Sequence, residues 1–286
     1  MRRLTREHFV TEMSKANAPA YVVEDGETVV VETIDAAGGF MGRDGVRRQG
    51  ARGGNPATGP IEAKGSQPGE AIAVTIHEVR VADWGYIAGV DKDAKATIIE
   101  MAGGVATYPW GLRLPVRPVI GVIGTAPPGE AIPTTVPSDW GGNLDTVDIC
   151  AGATVCLPVA VSGALLALGD VHALQGESEC CGTGIECFAE VTATVRRVRN
   201  PVWPKVHVVR NDKLMVFAHS EDLDAAAWDA VADMAKLLTK LTGLPDIQAR
   251  RLLSTAGDVA ISQIVNPKKT CRAIIPRAAI PASWPF

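Results

Sequence analysis

The sequence Gly141-Gly142-Asn143-Leu144-Asp145 opens the stretch around which we expect the rest of the chain to be organised. An apolar segment, 157–168, follows it, and the stretch closes with Gly-Asp-Val-His-Ala-Leu-Gln-Gly-Glu-Ser-Glu at 169–179. Nowhere else in the sequence do carboxylates, a histidine and conformationally permissive glycines crowd together after a strongly apolar run. We interpret the apolar segment as a buried scaffold that aims the polar residues at a metal-centred site.

Asp170 and His172 lie two residues apart at the end of the apolar run. In an extended strand such residues share a face, with Cα atoms ~6.5 Å apart, so both side chains can converge on one ion. A carboxylate plus an imidazole suits zinc or another borderline divalent metal better than calcium alone. A surface Asp–His hydrogen bond at a strand end explains the same spacing, and the local sequence does not decide between the two.

Two glutamates, Glu177 and Glu179, follow within one loop. One could bind the metal while the other acts as general base on a bound water, and two close carboxylates raise each other's pKa. Solvent-exposed loop acids are the simpler interpretation. Cys180 and Cys181 offer a thiolate nucleophile instead. We rank a thiolate below metal-activated water, because adjacent acids raise the pKa of a thiol.

The opening Gly-Gly-Asn-Leu-Asp motif can bind a carbonyl group. Successive glycines such as Gly141 and Gly142 can aim backbone N–H groups at a developing oxyanion, and Asn143 can offer its amide to the carbonyl. An ordinary turn, in which Gly and Asn adopt positive φ, accounts for the same residues. Asp35 is a further acid at a point where a strand enters a Gly-rich loop.

Short alternating segments that follow Gly-centred turns predict a β-rich fold. Glycine supplies the positive φ of a tight turn, and β-branched residues suit a pleated strand. Strands are predicted at 28–35, 71–84, 97–101, 117–124, 131–133, 154–157, 186–197 and 205–219. Such a succession is typical of a β-sandwich or barrel. The segment 36–66 is so rich in Gly, Pro and polar residues that it predicts a loop without a helix or a long strand.

The composition shifts at Ser220. Apolar residues at helical spacing predict a helix over 222–241, and a second one over 246–256 with Asp246 as its N-cap. The tail from Ala260 returns to β character and ends in a Pro-rich segment. We therefore expect a mainly β (α+β) chain. A β-rich catalytic core spans 1–219, and a helical pair with a terminal strand, 220–286, packs on the same core.

Charge and composition narrow the classes of partner. The chain has 286 residues and a net charge of −4. Its sequence contains no basic patch of the kind that would indicate binding to nucleic acid. No apolar run approaches the ~20 residues of a membrane helix, and no apolar segment typical of a signal peptide follows the N-terminal charges. We expect a cytoplasmic protein with six reduced cysteines and a small-molecule partner.

Several motifs together resemble those of the acetamidase/formamidase family. They are Gly141–Asp145, Leu157-Pro158-Val159 with Gly163-Ala164-Leu165, Gly169–His172 with Gln175-Gly176, Pro19–Asp35, Asn55–Pro60, Leu253-Ser254 and Ile261–Pro267. The resemblance covers nearly the whole chain. Each motif alone is weak, but the set is specific.

The resemblance implies hydrolysis of short aliphatic amides, such as formamide or acetamide, to a carboxylate and ammonia. It implies a jelly-roll-like β-sandwich with additional barrel-like and α/β elements, and a homodimer or higher homo-oligomer. It also implies a divalent metal, with zinc as the first choice and calcium as a second ion.

The site residues implied by the resemblance fall into three groups. The metal ligands are Asp145, Asp170 and His172, with Asp35 as a further candidate. Glu179 is the general base, with Glu177 and His172 as further catalytic candidates. The candidates for holding the substrate are Gly141, Gly142, Asn143, Gln175 and Trp140.

Two departures from the family pattern bear on the substrate. Trp140 stands where the family often has a histidine, and Gly176-Glu177-Ser178-Glu179 replaces Gly-Asp-Gly-Glu. A larger amide or a lactam is therefore an alternative substrate in the same site. A β-sandwich that binds small ligands without turnover is the alternative from a different functional class.

Overall fold

The computed structural model describes residues 1–48, 54–89 and 95–281. Parts of the predicted 36–66 loop (49–53) and of the Pro-rich tail (282–286) lie outside these ranges. The strands of the first half are β1 (Arg2–Leu4), β2 (Phe9–Val10), β3 (Glu12–Met13), β4 (Tyr21–Val23), β5 (Glu27–Thr33), β6 (Ala57–Ala63), β7 (Ala71–Val81), β8 (Trp84–Ile87), β9 (Thr97–Ala102), β10 (Val105–Thr107) and β11 (Arg113–Pro115).

The second half adds further strands and the helices. The strands are β12 (Val119–Gly124), β13 (Ile132–Pro133), β14 (Gly141–Asn143), β15 (Ala153–Pro158), β16 (Leu166–His172), β17 (Glu186–Cys187), β18 (Ala189–Val198), β19 (His207–Arg210), β20 (Lys213–Ser220), β21 (Asp258–Gln263) and β22 (Lys269–Pro276). The helices are α1 (Leu223–Thr242), α2 (Asp246–Ala256) and a 3₁₀ turn, Arg277–Ala279. None of the helices in the described ranges is both long and apolar enough to cross a bilayer.

Two large sheets contain nearly all the strands. The first has the order β1-β5-β18-β7-β15-β19-β20-β22-β21. The second runs β11-β10-β9-β8-β17-β16-β12-β14, with β6 also paired to β16 and carrying β2 and β4. A small third sheet joins β3 and β13. The chain is therefore mainly β with two C-terminal helices, which confirms the predicted fold class.

The largest hydrophobic core combines residues of both large sheets. Alternate residues of the first sheet contribute to it, among them Ile72, Val74 and Ile76 of β7. The second sheet contributes buried residues such as Ile120 and Leu168. This alternation is what lets one face of each sheet enter a common core, as the period-two pattern of the sequence predicts.

A second core lies between the helices and the first sheet. Met215 and Phe217 of β20 belong to the core between the sheets, whereas Leu214 and Val216 of the same strand pack with the helices. Both faces of β20 are therefore covered. The Leu and Ala stripe predicted for α1 is buried here, as expected of an amphipathic helix.

The helix boundaries agree closely with the sequence. The side chain of Asp222 accepts a hydrogen bond from the Ala225 N–H and caps α1, and Gly243 ends it with a left-handed φ of 75°. The expectation that Asp246 is the N-cap of α2 is wrong. Pro245 takes that position, and Asp246 is the first helical residue, where its carboxylate still favours the helix dipole.

The prediction for the 36–66 loop is partly wrong, because β6 runs through it. This strand pairs with β16 on one side and with β2 and β4 on the other. Pro60 donates no hydrogen bond to the ladder, but its carbonyl accepts one from the Ala20 N–H (2.9 Å). Ala57, Thr58 and Ile61 are almost completely buried. Burial in the middle of a sheet has overridden the local signal of the glycine and the proline.

The apolar 157–168 segment links the two large sheets. β15, in the first sheet, ends at Pro158, and β16, in the second, begins at Leu166. Between them Ala164 and Leu165 adopt positive φ values of 60° and 54°, which turn the chain. The segment is thus the end of one strand, a turn and the start of another. It directs β16 into the second sheet.

Candidate metal centre and active site

Four neighbouring strands of the second sheet, β14, β12, β16 and β17, bring the polar residues together. Asn143 ends β14, Asp170 and His172 lie on β16, and Glu186 begins β17. The register places His172 directly opposite Glu186. Side chains from separate parts of the sequence therefore converge at one place on the sheet.

A local break in the ladder between β12 and β16 shapes this place. The pairing skips Gly121 and Asp170, and Asp170 adopts a left-handed φ of 53°, which is uncommon for a residue with a side chain. A Cβ on Gly121 would lie 2.6 Å from Asp145 Oδ1 and 3.0 Å from Asp170 Oδ2. Glycine thus provides the space in which two carboxylates meet. The extended geometry assumed for Asp170 and His172 is not what brings them together.

His172 is the centre of the cluster. Its Nε2 lies 3.2 Å from Glu186 Oε2, 3.6 Å from Asp170 Oδ1 and 4.0 Å from Glu179 Oε1. Two sets of potential ligand atoms share this histidine, and within each set the atoms lie within 4.8 Å of one another. Asp145 and Asp170 complete one set, and Glu179 and Glu186 complete the other.

The protonation of His172 follows from its contact with Gln175. The Gln175 amide nitrogen donates to the Asp145 carbonyl (2.7 Å), which orients its Oε1 toward His172 Nδ1 (2.8 Å). A carboxamide oxygen only accepts hydrogen bonds, so Nδ1 carries a proton. In the neutral ring the lone pair is then on Nε2, the atom that faces the carboxylates. This is the arrangement that metal-binding histidines generally show.

Two asparagines fix the aspartates in the same way. Asn55 donates its amide to Asp170 Oδ2, and Asn266 donates to Asp145 Oδ2, both at 2.7 Å. The other oxygen of each aspartate, Oδ1, is buried without a hydrogen-bond partner. Each carboxylate therefore has one oxygen held in place and one left for a further bond.

Burial and mutual repulsion govern the charges in the cluster. Burial, followed by repulsion from Asp170, raises the pKa of Asp145 to about 6. Burial and the negative charge of Asp145 raise the pKa of Glu179 to about 9. Burial opposes the charged form of His172, but the attraction of the carboxylates, Glu186 first, outweighs it and raises the pKa. Every ion pair that Asp170, Glu179 and Glu186 make within the described ranges is with His172.

The residues of the cluster fit a divalent metal ion. Asn143 Oδ1, Asp145 Oδ1, Asp170 Oδ1 and Glu186 Oε2 are all buried without hydrogen-bond partners. Orphaned buried oxygens are costly unless something pairs with them, and buried carboxylates are normally paired or bound to metal. Carboxylate oxygens together with one imidazole nitrogen are typical ligands of borderline divalent metals. Donor chemistry and unsatisfied oxygens both point to a cation.

The cluster opens onto a cavity of about 770 Å³. Asp170, His172, Glu179 and Glu186 line it, so these four potential ligands are accessible from it. Tyr86 lines it as well, and its hydroxyl accepts a hydrogen bond from the Ala37 N–H (3.0 Å). A small molecule entering the cavity would meet both the acids and the phenol.

The structure leaves two predicted acids away from the ligand sets. Asp35 is buried, but its Oδ1 accepts a hydrogen bond from the Gly39 N–H (2.8 Å). Burial raises the pKa of Asp35 to about 6. Glu177 lies outside the cavity, with its side chain half exposed and both carboxylate oxygens hydrogen-bonded to Arg272. Positive φ at Ser178 and Glu179 turns the chain between the two glutamates.

The remaining predicted residues support the site rather than line it, Asn143 excepted. The Gly141 N–H donates to the Ser138 carbonyl (3.0 Å), and a Cβ on Gly141 or Gly142 would collide with backbone oxygens. Trp140 does not line the cavity, and its N–H donates to Ser138 Oγ (3.2 Å). The double glycine therefore permits the close turn that presents Asn143, which does line the cavity.

Sequence reasoning missed three residues of the site. Glu186 sits in a segment predicted as an alternating strand, and only the pairing of β17 with β16 reveals its role. Asn55 and Asn266 lie within motifs of the resemblance, which implies no function for either. Both directly precede a proline, and that repeated Asn-Pro pair was the available signal. Cys180 and Cys181, the alternative nucleophiles, are exposed and do not line the cavity.

Comparison with known proteins settles the family. Residues 128–281, more than half of the chain, match the sequence profile of the Acetamidase/Formamidase family. The chain belongs to the acetamidase/formamidase family. This membership confirms the resemblance and the predicted enzyme class, an amide hydrolase.

Solved structures of similar proteins match this chain over almost its whole length. It is 38% identical to the acetamidase of Bacillus halodurans, over 96% of this chain and 97% of that one, with a TM-score of 0.88. It is 35% identical to a predicted acetamidase/formamidase of Thermoanaerobacter tengcongensis, over 97% and 96% of the two chains, with a TM-score of 0.92. A candidate formamidase of Schizosaccharomyces pombe is 25% identical over 253 residues, but the match spans only 62% of that protein and 63% of this one.

Proposed function

We propose that this family member is a metal-dependent amidohydrolase that cleaves short aliphatic amides, formamide-like or acetamide-like, to a carboxylate and ammonia. One observation carries the proposal. Buried carboxylate oxygens without partners converge with His172 Nε2 beside a cavity, and the proton on Nδ1 leaves Nε2 free to bind. The names of the similar proteins support the same reaction.

The proposed metal ligands are Asp145, Asp170 and His172, with Glu186 next to the same histidine. We propose zinc, because the set includes an imidazole, and calcium as a second ion on the oxygen-rich side. A divalent ion bound there supplies Lewis-acid polarisation of the amide carbonyl and acidification of water toward a pKa of ~7 in the case of zinc.

Glu179 is our proposed proton carrier. Its pKa, about 9 in the metal-free protein, falls when a cation is bound nearby, because opposite charge favours the carboxylate. A pKa brought toward neutrality lets one group accept a proton from water and then pass it to the leaving nitrogen. Hydrolysis breaks the C–N bond and forms a C–O bond to water. Glu179 passes one proton of that water to the leaving nitrogen, and the proton of the new carboxyl group is taken up by ammonia, so the products are a carboxylate and an ammonium ion.

Other residues hold the reactants in place. Gln175 and Asn266 orient the ligands, and Asn143, at the cavity wall, is the proposed partner of the amide group. Glu177 has no part in the proposed reaction, since Arg272 neutralises it outside the cavity. Asp35 is proposed to add negative charge beside the ligands rather than to bind the ion.

We also propose a homodimer or higher homo-oligomer and a cytoplasmic location. The edge strand β21 exposes Val259 and Ile261, which a second subunit could cover. The six cysteines are all free, which is typical of a reducing compartment. Light scattering after size-exclusion chromatography and fractionation of cells test these two points.

The function is tested by metal content together with ammonia release from formamide, acetamide, longer amides and lactams. We expect at least one divalent ion per chain, two where calcium also binds, and turnover of linear amides. His172→Ala should lose both, whereas His77→Ala, an exposed histidine remote from the cluster, should keep both. Full activity and metal content in His172→Ala would refute the metal centre. Ligand-induced stabilisation without any turnover would instead favour the non-catalytic binding protein.

A further inference from the structure

The cavity is much larger than a formamide-like substrate needs. About 770 Å³ lies within the range of pockets that hold ligands of drug size. Formamide and acetamide have only a few non-hydrogen atoms and would leave most of this volume to water. The volume therefore calls for a substrate that extends beyond its amide group.

The side chains that line the cavity are of two chemical kinds. Asn55 and Asn266 hold the aspartates of the cluster, and Thr135 and Asn143 add further polar groups. The apolar lining residues, most of them small, are Ala36, Ala37, Met41, Val46, Ala88 and Ala96. Such side chains offer contact to a methylene chain but no hydrogen bonds. They suit an aliphatic chain that continues from the amide.

Two cations, Arg47 and Lys95, line the same cavity. Their side chains have no ion-pair or hydrogen-bond partner among the described residues. The neighbouring Arg48, by contrast, is paired with Asp44 (3.2 Å). The backbone around them is held, because Arg47 forms a β-bridge with Met41 and the Ala96 N–H donates to the Gly45 carbonyl (3.0 Å). The segments that carry the two cations are thus linked by a backbone hydrogen bond, and both cations line the cavity.

We infer that the substrate is an aliphatic primary amide whose far end carries a carboxylate, that is, the monoamide of a dicarboxylic acid. The inference rests on the proposed amide hydrolysis. The amide lies at the cluster, the methylene chain contacts the apolar lining residues, and the carboxylate meets Arg47 and Lys95. Water adds to the carbonyl carbon and the C–N bond breaks. The leaving nitrogen takes up both protons of the water, so the products are the dicarboxylate and an ammonium ion.

The charge distribution of the cavity favours this orientation over the reverse. Even with one divalent ion bound, the carboxylates of Asp145, Asp170 and Glu186 leave the cluster with a net negative charge, which disfavours a further carboxylate there. Lys95 lies just before β9, which β8 separates from Glu186, and the Ala96–Gly45 hydrogen bond ties the Arg47 segment to the same place. A carboxylate at these two cations gains hydrogen bonds to an Arg and a Lys. Because both cations are exposed, each contributes modestly, and together we expect about a tenfold preference.

The test compares kcat/KM for ammonia release from the monoamides of succinic, glutaric and adipic acid with that for matched neutral amides. In each neutral amide a methyl ketone replaces the carboxylate. We expect the anionic amide to be preferred about tenfold at one chain length, mainly through KM, and the preference to shrink at high salt. Arg47→Gln with Lys95→Gln should abolish the preference, whereas Arg48→Gln should retain it.

The outcomes separate this inference from the function on which it rests. Ammonia from acetamide and from the neutral amides, without any preference for the anionic partner, would overturn the substrate class and leave amide hydrolysis intact. A preference that survives in the Arg47→Gln/Lys95→Gln variant would overturn the assigned anchors. Ammonia from none of the amides would overturn the proposed function and this inference with it.

Discussion

Gly121→Ala perturbs the metal centre without removing any of its ligands. Gly121 lies in β12 where the ladder to β16 is interrupted, and its φ is outside the positive region. Alanine is therefore acceptable to the backbone. The added Cβ would lie 2.6 Å from Asp145 Oδ1, 2.8 Å from the Asp170 carbonyl oxygen and 3.0 Å from Asp170 Oδ2. The strain falls on two proposed ligands at once.

The size of the effect follows from these distances. Moving Asp145 Oδ1 from 2.6 Å to an ordinary 3.4 Å contact requires a shift of about 0.8 Å. Metal ligands are placed to within about 0.2 Å, so the shift is several times the tolerance. Disturbing residues that orient ligands typically lowers metal affinity 10- to 100-fold, about 1.4–2.7 kcal/mol. We expect Gly121→Ala to lower metal affinity about 100-fold or more. Overpacking should also reduce the free energy of unfolding by about 1–3 kcal/mol.

The assay is competition for the metal with a chromophoric chelator, followed by amide turnover at saturating metal. Gly129→Ala is the matched control, because Gly129 is exposed, has no positive φ, and an added Cβ there meets nothing within 4 Å. It should bind metal and release ammonia as the unmodified protein does. Unchanged metal affinity in a folded Gly121→Ala protein would refute the reasoning, since the two carboxylates could not then be ligands.

The remaining predictions concern orientation, pH and the acid outside the site. Gln175→Leu should lower metal affinity about 10- to 100-fold, because the proton on His172 Nδ1 loses its acceptor; an unchanged affinity in chelator competition would contradict this. Glu179 has a folded pKa of about 9, above its ordinary 4.5, so it stabilises the metal-free protein below pH ~4.5 and this stabilisation is lost as pH rises toward 9. The melting temperature of the chelated protein should therefore fall over that pH range. The increase in melting temperature on metal binding should become larger over the same range. Calorimetry that shows the opposite slope would exclude the raised pKa. Glu177→Gln should keep kcat within about twofold while unfolding more easily in denaturant, because only its pairing with Arg272 is lost.

The general architecture could be predicted from the sequence because it depends on local patterns. Period-two alternation in 71–77 predicted β7, and that in 186–197 predicted the stretch that forms β17 and β18. Gly243 predicted the end of α1. The strand β6 could not be predicted, because Gly59 and Pro60 carry a strong local signal for a loop. Their strand is stabilised by non-local pairing with β16, which no local pattern records.

The candidate site could be predicted only in part, because some of its residues meet through non-local pairing. Asp170 and His172 lie two residues apart, so their proximity could be predicted from the spacing, and the resemblance grouped Asp145 with them as metal ligands. Glu186 reaches His172 only through the register of two strands. Glu177 and Glu179 lie two residues apart in one loop, but the left-handed backbone at Ser178 and Glu179 separates the two side chains. Such backbone conformations depend on the tertiary contacts around them.

Anomalous diffraction from crystals of protein purified without a metal-affinity step tests the central claim most directly. Data collected on both sides of the metal absorption edge identify the ion and locate it. We expect a peak about 2.0–2.2 Å from His172 Nε2 and from the Oδ1 atoms of Asp145 and Asp170. A cluster that stays without such a peak after soaking in zinc, or an ion bound away from His172, would contradict it.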